Sequence, residues 1–374
     1  MHFIILFLAF GPCQTTGEER LQESQPVTSV FEGRILNAET GEPLLGAHVF
    51  LSGTTLGTVT NAAGRYRLSG VPSGAHRLTV SMIGFGRTAV DTLIQPGVTR
   101  SIDFELEPRI YDMEELTVRE FDKDWKKDLE RFIRLFIGTS ARADSVVIAN
   151  PEVLSFSSTW WGRFIAEAYR PLVIENYALG YRITYFLEDF RHSGTVTRWD
   201  GESLFEQMAP GDSLQSAVWE KNRKEAFYGS LRHFLLALIQ DHIDEEGFIL
   251  YRHRRSAQHF PTRDRFRTSS GRLIDHSDEG RPFKFSFSGR LEIIYTKAGE
   301  DERYIRWERN RSRRPADRQT SYLELNERPL TIDGAGEILE TYGATRFGYF
   351  SFLRIADKTP REYLPDGLTI RESH

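Results

Sequence analysis

The sequence predicts an N-terminal all-β sandwich followed by an α+β domain, mainly antiparallel with a helical block. Three observations carry this. Residues 29–108 hold short alternating runs separated by glycine-bearing turns, at spacings of about 8 to 12 residues, the rhythm of a sandwich or barrel. Apolar residues recur at helical spacing within residues 121–137 and again within 214–242. Strand-like alternation returns between and after those stretches. The 374 residues are enough for two ordinary domains with real cores.

In the first region the expected strands are Val30–Leu36, Ala47–Leu51 with His48 facing outward, Thr58–Thr60, Tyr66–Leu68, His76–Ser81 and Ser101–Leu106. Thr40-Gly41, Ser52-Gly53, Asn61–Gly64 and Pro72–Gly74 separate them, and Ser81–Gly86 reads as a strand end and turn. Glycine suits such turns because a left-handed backbone costs it nothing.

The stretch GEPLLGAHVFLSGTTLGTVTNAAGRYRL, continued by VPSGAHRLTVSMIGF, resembles the carboxypeptidase regulatory-like domain over residues 29–108, with almost every turn residue in place. The resemblance implies a transthyretin-like β-sandwich, a module of Bacteroidota envelope proteins that often stands at the N-terminus of outer-membrane receptors. The family name derives from an accessory domain of zinc carboxypeptidases and implies no peptidase activity. Arg109–Val118 resembles the segment leading into a receptor plug. A receptor would continue into a plug and a barrel of many alternating strands, and this chain gives a helix instead.

Ahead of the sandwich, Phe3–Phe10 is an unbroken apolar run, too short to span a bilayer and suited to the core of a signal peptide. Gly11, Pro12 and Cys13 follow, and the arrangement resembles a bacterial lipoprotein signal in which Cys13 becomes lipidated. It departs from that pattern in having no Lys or Arg before the apolar run and in placing Pro12 beside the cleavage point. In a plain cleaved signal, Cys13 would leave with the peptide. The expected organisation is a signal in residues 1–13, a polar linker in 14–28, the sandwich in 29–118 and the α+β domain in 119–374. The expected location is exported, in the periplasm or outer membrane, held by a lipid anchor. Cys13 is the single cysteine, which excludes a disulfide framework and a cysteine metal cluster.

In the second region FDKDWKKDLERFIRLFI (121–137) places Trp125, Leu129, Phe132, Ile133 and Phe136 on one helical face. Glu152–Ser157 reads as a strand, Arg163–Tyr177 as extended structure broken at Pro171, and Tyr181–Leu187 as a half-buried strand pairing with Thr195–Trp199. Leu214–His242 reads as helical, its second half buried. Phe248–Tyr251 returns to strand, Pro282–Thr296 and Glu302–Trp307 suggest a hairpin, Ser321–Leu325 and Leu330–Ile332 add short strands, and Phe352–Asp357 opens a last helical turn. Phrases such as NPEVLSF and YALGYRITYFLEDF resemble the C-terminal region of uncharacterised Bacteroidota envelope proteins carrying the same sandwich, which supplies architecture and no site.

The chemistry-bearing motifs are sparse. Net charge is −5, with 8 Lys and 40 Arg, so no global field favours nucleic acid. There is no H-E-x-x-H, no G-x-S-x-G, no P-loop and no G-x-G-x-x-G. H-x-x-E occurs at His242–Glu245 and His276–Glu279, the rate chance allows, and without a third ligand. Asp241–Glu246 has the composition of a cation site, with a solvated helix end as the simpler reading. His233 is read as a partner for local carboxylates. Residues 252–272 and 306–318 carry seven and six arginines, which would grip phosphate or an acidic glycan or lie as exposed loops. Trp160-Trp161 raises a carbohydrate option against ordinary aromatic core. Asp333–Glu337 is too short for a calcium loop. Glu188 and Asp189 are the first carboxylates to inspect for an enzyme. No catalytic, cofactor or metal residue is assigned, and no cofactor is expected. The expected function is a non-enzymatic envelope binding or scaffolding protein whose partner is an envelope protein or glycan, with the sandwich as structural or docking module. The alternative is a hydrolase of an envelope glycan or peptide with an unrecognised C-terminal site.

Overall fold

Eight strands build the first region: β1 (Ser29–Asn37), β2 (His48–Leu51), β3 (Gly57–Val59), β4 (Arg65–Val71), β5 (Gly74–Ser81), β6 (Thr88–Ile94), β7 (Thr99–Ser101) and β8 (Phe104–Leu106). In this computed structural model the described residues are 28–109, 123–160, 162–253, 265–275, 282–309, 312–366 and 368; Cys13, the signal-like run and Trp161 lie outside them. One sheet runs β4-β1-β7, with β8 also on β1; the other runs β3-β2-β5-β6. Phe31, Ile35, Val49, Leu51, Leu68 and Val80 close the core between the sheets, each at most 3% exposed. The run expected at Ser101–Leu106 is two strands, because β7 and β8 follow one another in parallel along the same edge of β1. Strand β6, whose alternation is weak, was not among the expected strands; it pairs β5 along its whole length.

A second core follows. Helix α1 (Lys123–Phe136) lies against a six-stranded sheet of β9 (Val146–Ile148), β10 (Leu154–Ser158), β11 (Phe164–Ala168), β12 (Leu172–Asn176), β13 (Tyr181–Ser193) and β14 (Val196–Gln207). Its predicted face is the buried one: the Phe132 ring sits 4.9 Å from Phe136 and 4.8 Å from Phe190. Much of the chain's aromatic content is therefore core. Strand β13 is longer than alternation alone predicted. One edge carries β12 and then β11; the other pairs β14 throughout, with a bulge between Leu187 and Asp189.

The helical block is two helices, α2 (Ser213–Phe227) and α3 (Leu231–Ile239). The side chain of Ser230 accepts the His233 amide at 3.1 Å and starts the second helix. Helix α3 belongs to a third core within a region of β15 (Phe248–His253), β16 (Arg265–Arg267), β17 (Ile274–Asp275), β18 (Phe283–Phe285), β19 (Arg290–Tyr295), α4 (Glu302–Trp307), β20 (Gln319–Leu325), β21 (Leu330–Ile332), β22 (Ala344–Gly348) and α5 (Tyr349–Phe352), in which α4 packs with α5 in a small cluster of its own. The order β16-β15-β19-β20-β22 makes a five-stranded antiparallel sheet, and β17-β18-β21 a small separate one. The expected hairpin of Pro282–Thr296 with Glu302–Trp307 is absent. Both edges of β19 are taken by β15 and β20. Glu302–Trp307 is helical because Asp301 caps it, accepting the Arg303 amide at 2.8 Å, and because Tyr304 and Ile305 are buried together.

Candidate functional site: the seam beneath the sandwich

The turn between β2 and β3 makes backbone contact with the rest of the chain. Thr54 shapes it: its hydroxyl donates to the Leu51 carbonyl at 2.9 Å and accepts the Leu56 amide at 3.0 Å. Gly53 takes φ +76°, in the left-handed region. This turn lies along the edge of β14 that β13 leaves open. The Gly53 amide donates to the Ser203 carbonyl at 2.6 Å and the Phe205 amide to the Thr54 carbonyl at 2.8 Å, so Thr54 and Leu204 form a short parallel bridge. An exposed sheet edge is thereby covered.

Side chains reinforce the seam. The Phe50 and Phe186 rings stack at 5.0 Å. Arg87 donates to the Phe186 carbonyl at 3.1 Å, pairs with Glu188 and lies 5.6 Å over the Phe186 ring. Glu202 accepts from the Ser52 hydroxyl and sits 2.8 Å from Arg77 Nε. That N–H is not aimed along the contact, so the pair is coulombic rather than a hydrogen bond. Burial pushes the Glu202 carboxyl above the usual range, against the opposing pull of Arg77, Arg87 and Lys358.

The segment after α5 straps the three larger cores together. The Ala356 amide donates to Ile137 at 3.0 Å, and its carbonyl accepts from Asn176 Nδ2 at 3.0 Å. Next, the Arg361 amide donates to the Gly53 carbonyl at 2.8 Å, Glu362 accepts the Thr55 amide at 2.5 Å, and the Arg361 guanidinium pairs with Asp333. Arg232, buried on α3, donates to the carbonyls of Ala335 at 2.9 Å, Pro360 at 3.4 Å, Tyr363 at 2.7 Å and Arg361. Asp357 pairs with Arg142 at 2.8 Å.

The candidates read from the sequence fall as follows. Glu188 and Asp189 do not form a catalytic pair: Glu188 binds Arg87, while Asp189 holds Arg191 at 2.7 Å and the Tyr342 hydroxyl at 2.8 Å. The carboxylates of Asp241–Glu246 do not converge. Asp241 accepts from the Ser270 hydroxyl, Asp244 pairs with Arg267 at 3.4 Å and Glu246 with His233 at 2.9 Å. Asp241, Asp244, Arg267 and Ser270 border an open polar cleft of about 460 Å³ with Arg272. Among the described residues no three His, Cys, Asp or Glu side chains are gathered to hold a metal ion; His276–Glu279 lies outside them. His233 is a fully buried structural group, its Nδ1 accepting the Gly229 amide at 3.0 Å. Burial lowers its pKa, with the Glu246 contact opposing. Several described arginines of the two basic stretches are neutralised at home, Arg265 on Glu292 at 3.1 Å and Arg313 on Glu300 at 2.6 Å. Trp160 is 91% exposed. Asp333 accepts the amides of Ala335 at 2.9 Å and Glu337 at 3.0 Å and pairs with Arg361, which makes it a strap anchor. The seam residues themselves went unforeseen. Gly53 and Thr54 stood in the sequence as a turn, with nothing to say what the turn would meet.

The family model of the CarboxypepD_reg-like domain matches residues 31–118. No curated protein matches the chain. Among solved structures, 5-hydroxyisourate hydrolase from Klebsiella pneumoniae is 27% identical over 22% of this chain and 92% of its own, with a TM-score of 0.19. Catechol 1,2-dioxygenase from Pseudomonas arvilla C-1 is 15% identical over 24% of this chain and 55% of its own, at 0.20. A type II cohesin–X-dockerin complex from Acetivibrio cellulolyticus is 15% identical over 20% and 52%, at 0.18. The chain spans about half the length of the last two. Residues 31–118 are a CarboxypepD_reg-like domain, a structural β-sandwich module.

Proposed function

We propose that the chain is a non-enzymatic binding or scaffolding protein of the cell envelope, exported and held at the membrane through a lipid on Cys13. Its sandwich is the structural or docking module, and residues 119–374 form the α+β domain that it braces. The observation behind this is the backbone pairing of Gly53 and Thr54 with β14, which makes the sandwich a brace for the α+β part. The outer edges of β4 and β6 are the sandwich's docking edges for an extended partner segment. Two His–carboxylate pairs with buried imidazoles also fit a non-enzymatic role. His233 is fully buried, and His253 and Glu292, 2.9 Å apart, are each 6% exposed. A general base must reach its substrate.

The test is intact-mass analysis of membrane and soluble fractions from cells making the full chain. A mature chain beginning at an acylated Cys13 in the membrane fraction supports the reading. An unprocessed chain in the soluble fraction overturns its export and anchoring.

A further inference from the structure

Positive charge gathers where the second and third cores meet. Arg131 comes from α1, His192 and Trp199 from the β13–β14 hairpin, Arg346 from edge strand β22, and Arg354 from the start of the strap. The guanidinium carbon of Arg354 lies 4.7 Å from the centre of the Trp199 ring, and that of Arg346 lies 5.7 Å from the same ring. Arg131 lies 4.4 Å over Phe164, the residue opposite His192 in the sheet register. Gly138 lets the strap approach: at φ +107°, any Cβ there would come within 2.9 Å of Arg354 Cβ.

Among the described residues, none of these three arginines has a carboxylate at ion-pair distance. Glu337 acts on Arg346 only from farther away. The nearby carboxylates are engaged elsewhere, Asp189 with Arg191 and Asp357 with Arg142. Aromatic faces attract a guanidinium, and they do not neutralise it. The groups report the crowding. Burial and then Arg346 bring the Arg354 pKa down to about 9. Burial, then Arg131 and Arg354, lower that of His192, so one imidazole feels two of the arginines. Arg346 keeps exposed surface on its edge strand, while burial of its guanidinium lowers its pKa.

Clustered cations without counter-ions destabilise a fold, and such an arrangement persists where a ligand supplies the missing charge. Three guanidiniums exceed what one carboxylate balances. A phosphomonoester brings about −1.5 to −2 at neutral pH, with several acceptor oxygens matched to guanidinium forks. We propose that Arg131, Arg346 and Arg354, gathered around Trp199 and Phe164, form a binding site for a phosphomonoester group. That group is carried by a free phosphorylated solute or by a lipid headgroup. The site does not depend on where the protein resides.

The test uses the full chain with two probes. Glycerol phosphate is followed by titration calorimetry, and phosphatidylcholine vesicles containing phosphatidic acid by co-sedimentation. The wild type binds at least one probe, more weakly as salt rises. Binding to glycerol phosphate assigns the site to a free solute, and binding to vesicles alone assigns it to a headgroup. R346Q and R354Q each weaken binding by about ten- to a hundredfold. Without ligand, both variants melt no lower than the wild type, because each removes a repelling cation. R346Q changes an exposed side chain on an edge strand and keeps the test open if R354Q does not fold. Wild-type binding to neither probe, or unchanged binding by the R346Q/R354Q double variant, overturns the proposal.

Discussion

The amide of Gly53 donates to the carbonyl of Ser203 across 2.6 Å, and through that bond a turn of the sandwich pairs along the open edge of β14. The Gly53 carbonyl in turn accepts the Arg361 amide at 2.8 Å. One residue thus joins the sandwich, the six-stranded sheet and the C-terminal strap.

Gly53→Ala and Gly41→Ala separate this role from backbone strain. Both glycines have similar positive φ, +76° and +70°, but a Cβ at 53 meets Arg361 at 2.9 Å while one at 41 meets nothing. G41A is expected to cost about 1 kcal/mol. G53A is expected to cost about 2 to 3 kcal/mol, because Arg361 must also shift. Urea unfolding of the two variants gives the difference, and equal costs would remove the steric contact from the account.

Glu202 titrates in the seam. Its carboxyl pKa is raised, so the folded state binds a proton more readily than the unfolded chain does. Stability from this group therefore grows as pH falls through the interval between the ordinary glutamate value and the raised one. E202Q lacks that response. Urea midpoints at about pH 7 and about pH 5 should show the wild type gaining on E202Q as pH falls.

His76 works in the opposite sense. Burial, then the charge of Arg361, lower its pKa to about 4, while its Nε2 meets the Pro72 carbonyl at 2.7 Å. The unfolded chain takes up a proton near pH 6.5 and the fold does not, so stability is whole above about pH 6.5 and is lost toward about pH 4. H76Q should flatten this part of the pH–melting profile, and an unchanged slope would show that the imidazole is not held neutral.

Arg232→Met removes the donor for four carbonyls of the strap and its neighbour, including Ala335 at 2.9 Å and Tyr363 at 2.7 Å. Stranding buried acceptors is expected to cost about 3 kcal/mol or more. R232K keeps the charge but cannot reach all four and should recover part of the loss. Thermal unfolding of the two variants checks the order.

The sandwich was legible because its signals are local. Alternation from Val30 to Leu36 and glycine at 41, 53, 64 and 74 specify strands and turns within a few residues of themselves. The face of α1 was legible for the same reason. Glu302–Trp307 misled because six residues with mixed polarity fit either period, and only the Asp301 cap and the partners of β19 decide the outcome. The seam and the arginine cluster were not legible. Gly53 and Ser203, or Arg131, Trp199 and the Arg346 to Arg354 segment, lie far apart in sequence and share no motif. The visible arginine runs pointed elsewhere, and described members such as Arg265 and Arg313 are paired by nearby carboxylates.

Site-resolved hydrogen exchange at the amides of Gly53 and Phe205 tests the brace most directly. Both amides are bonded across the seam, to Ser203 and Thr54. The account predicts protection comparable to that of the β13–β14 ladder, falling at both amides together in E202A. Exchange of both in the wild type at the rate of an unstructured peptide would contradict it, since the sandwich would then be moving apart from the sheet it is said to brace.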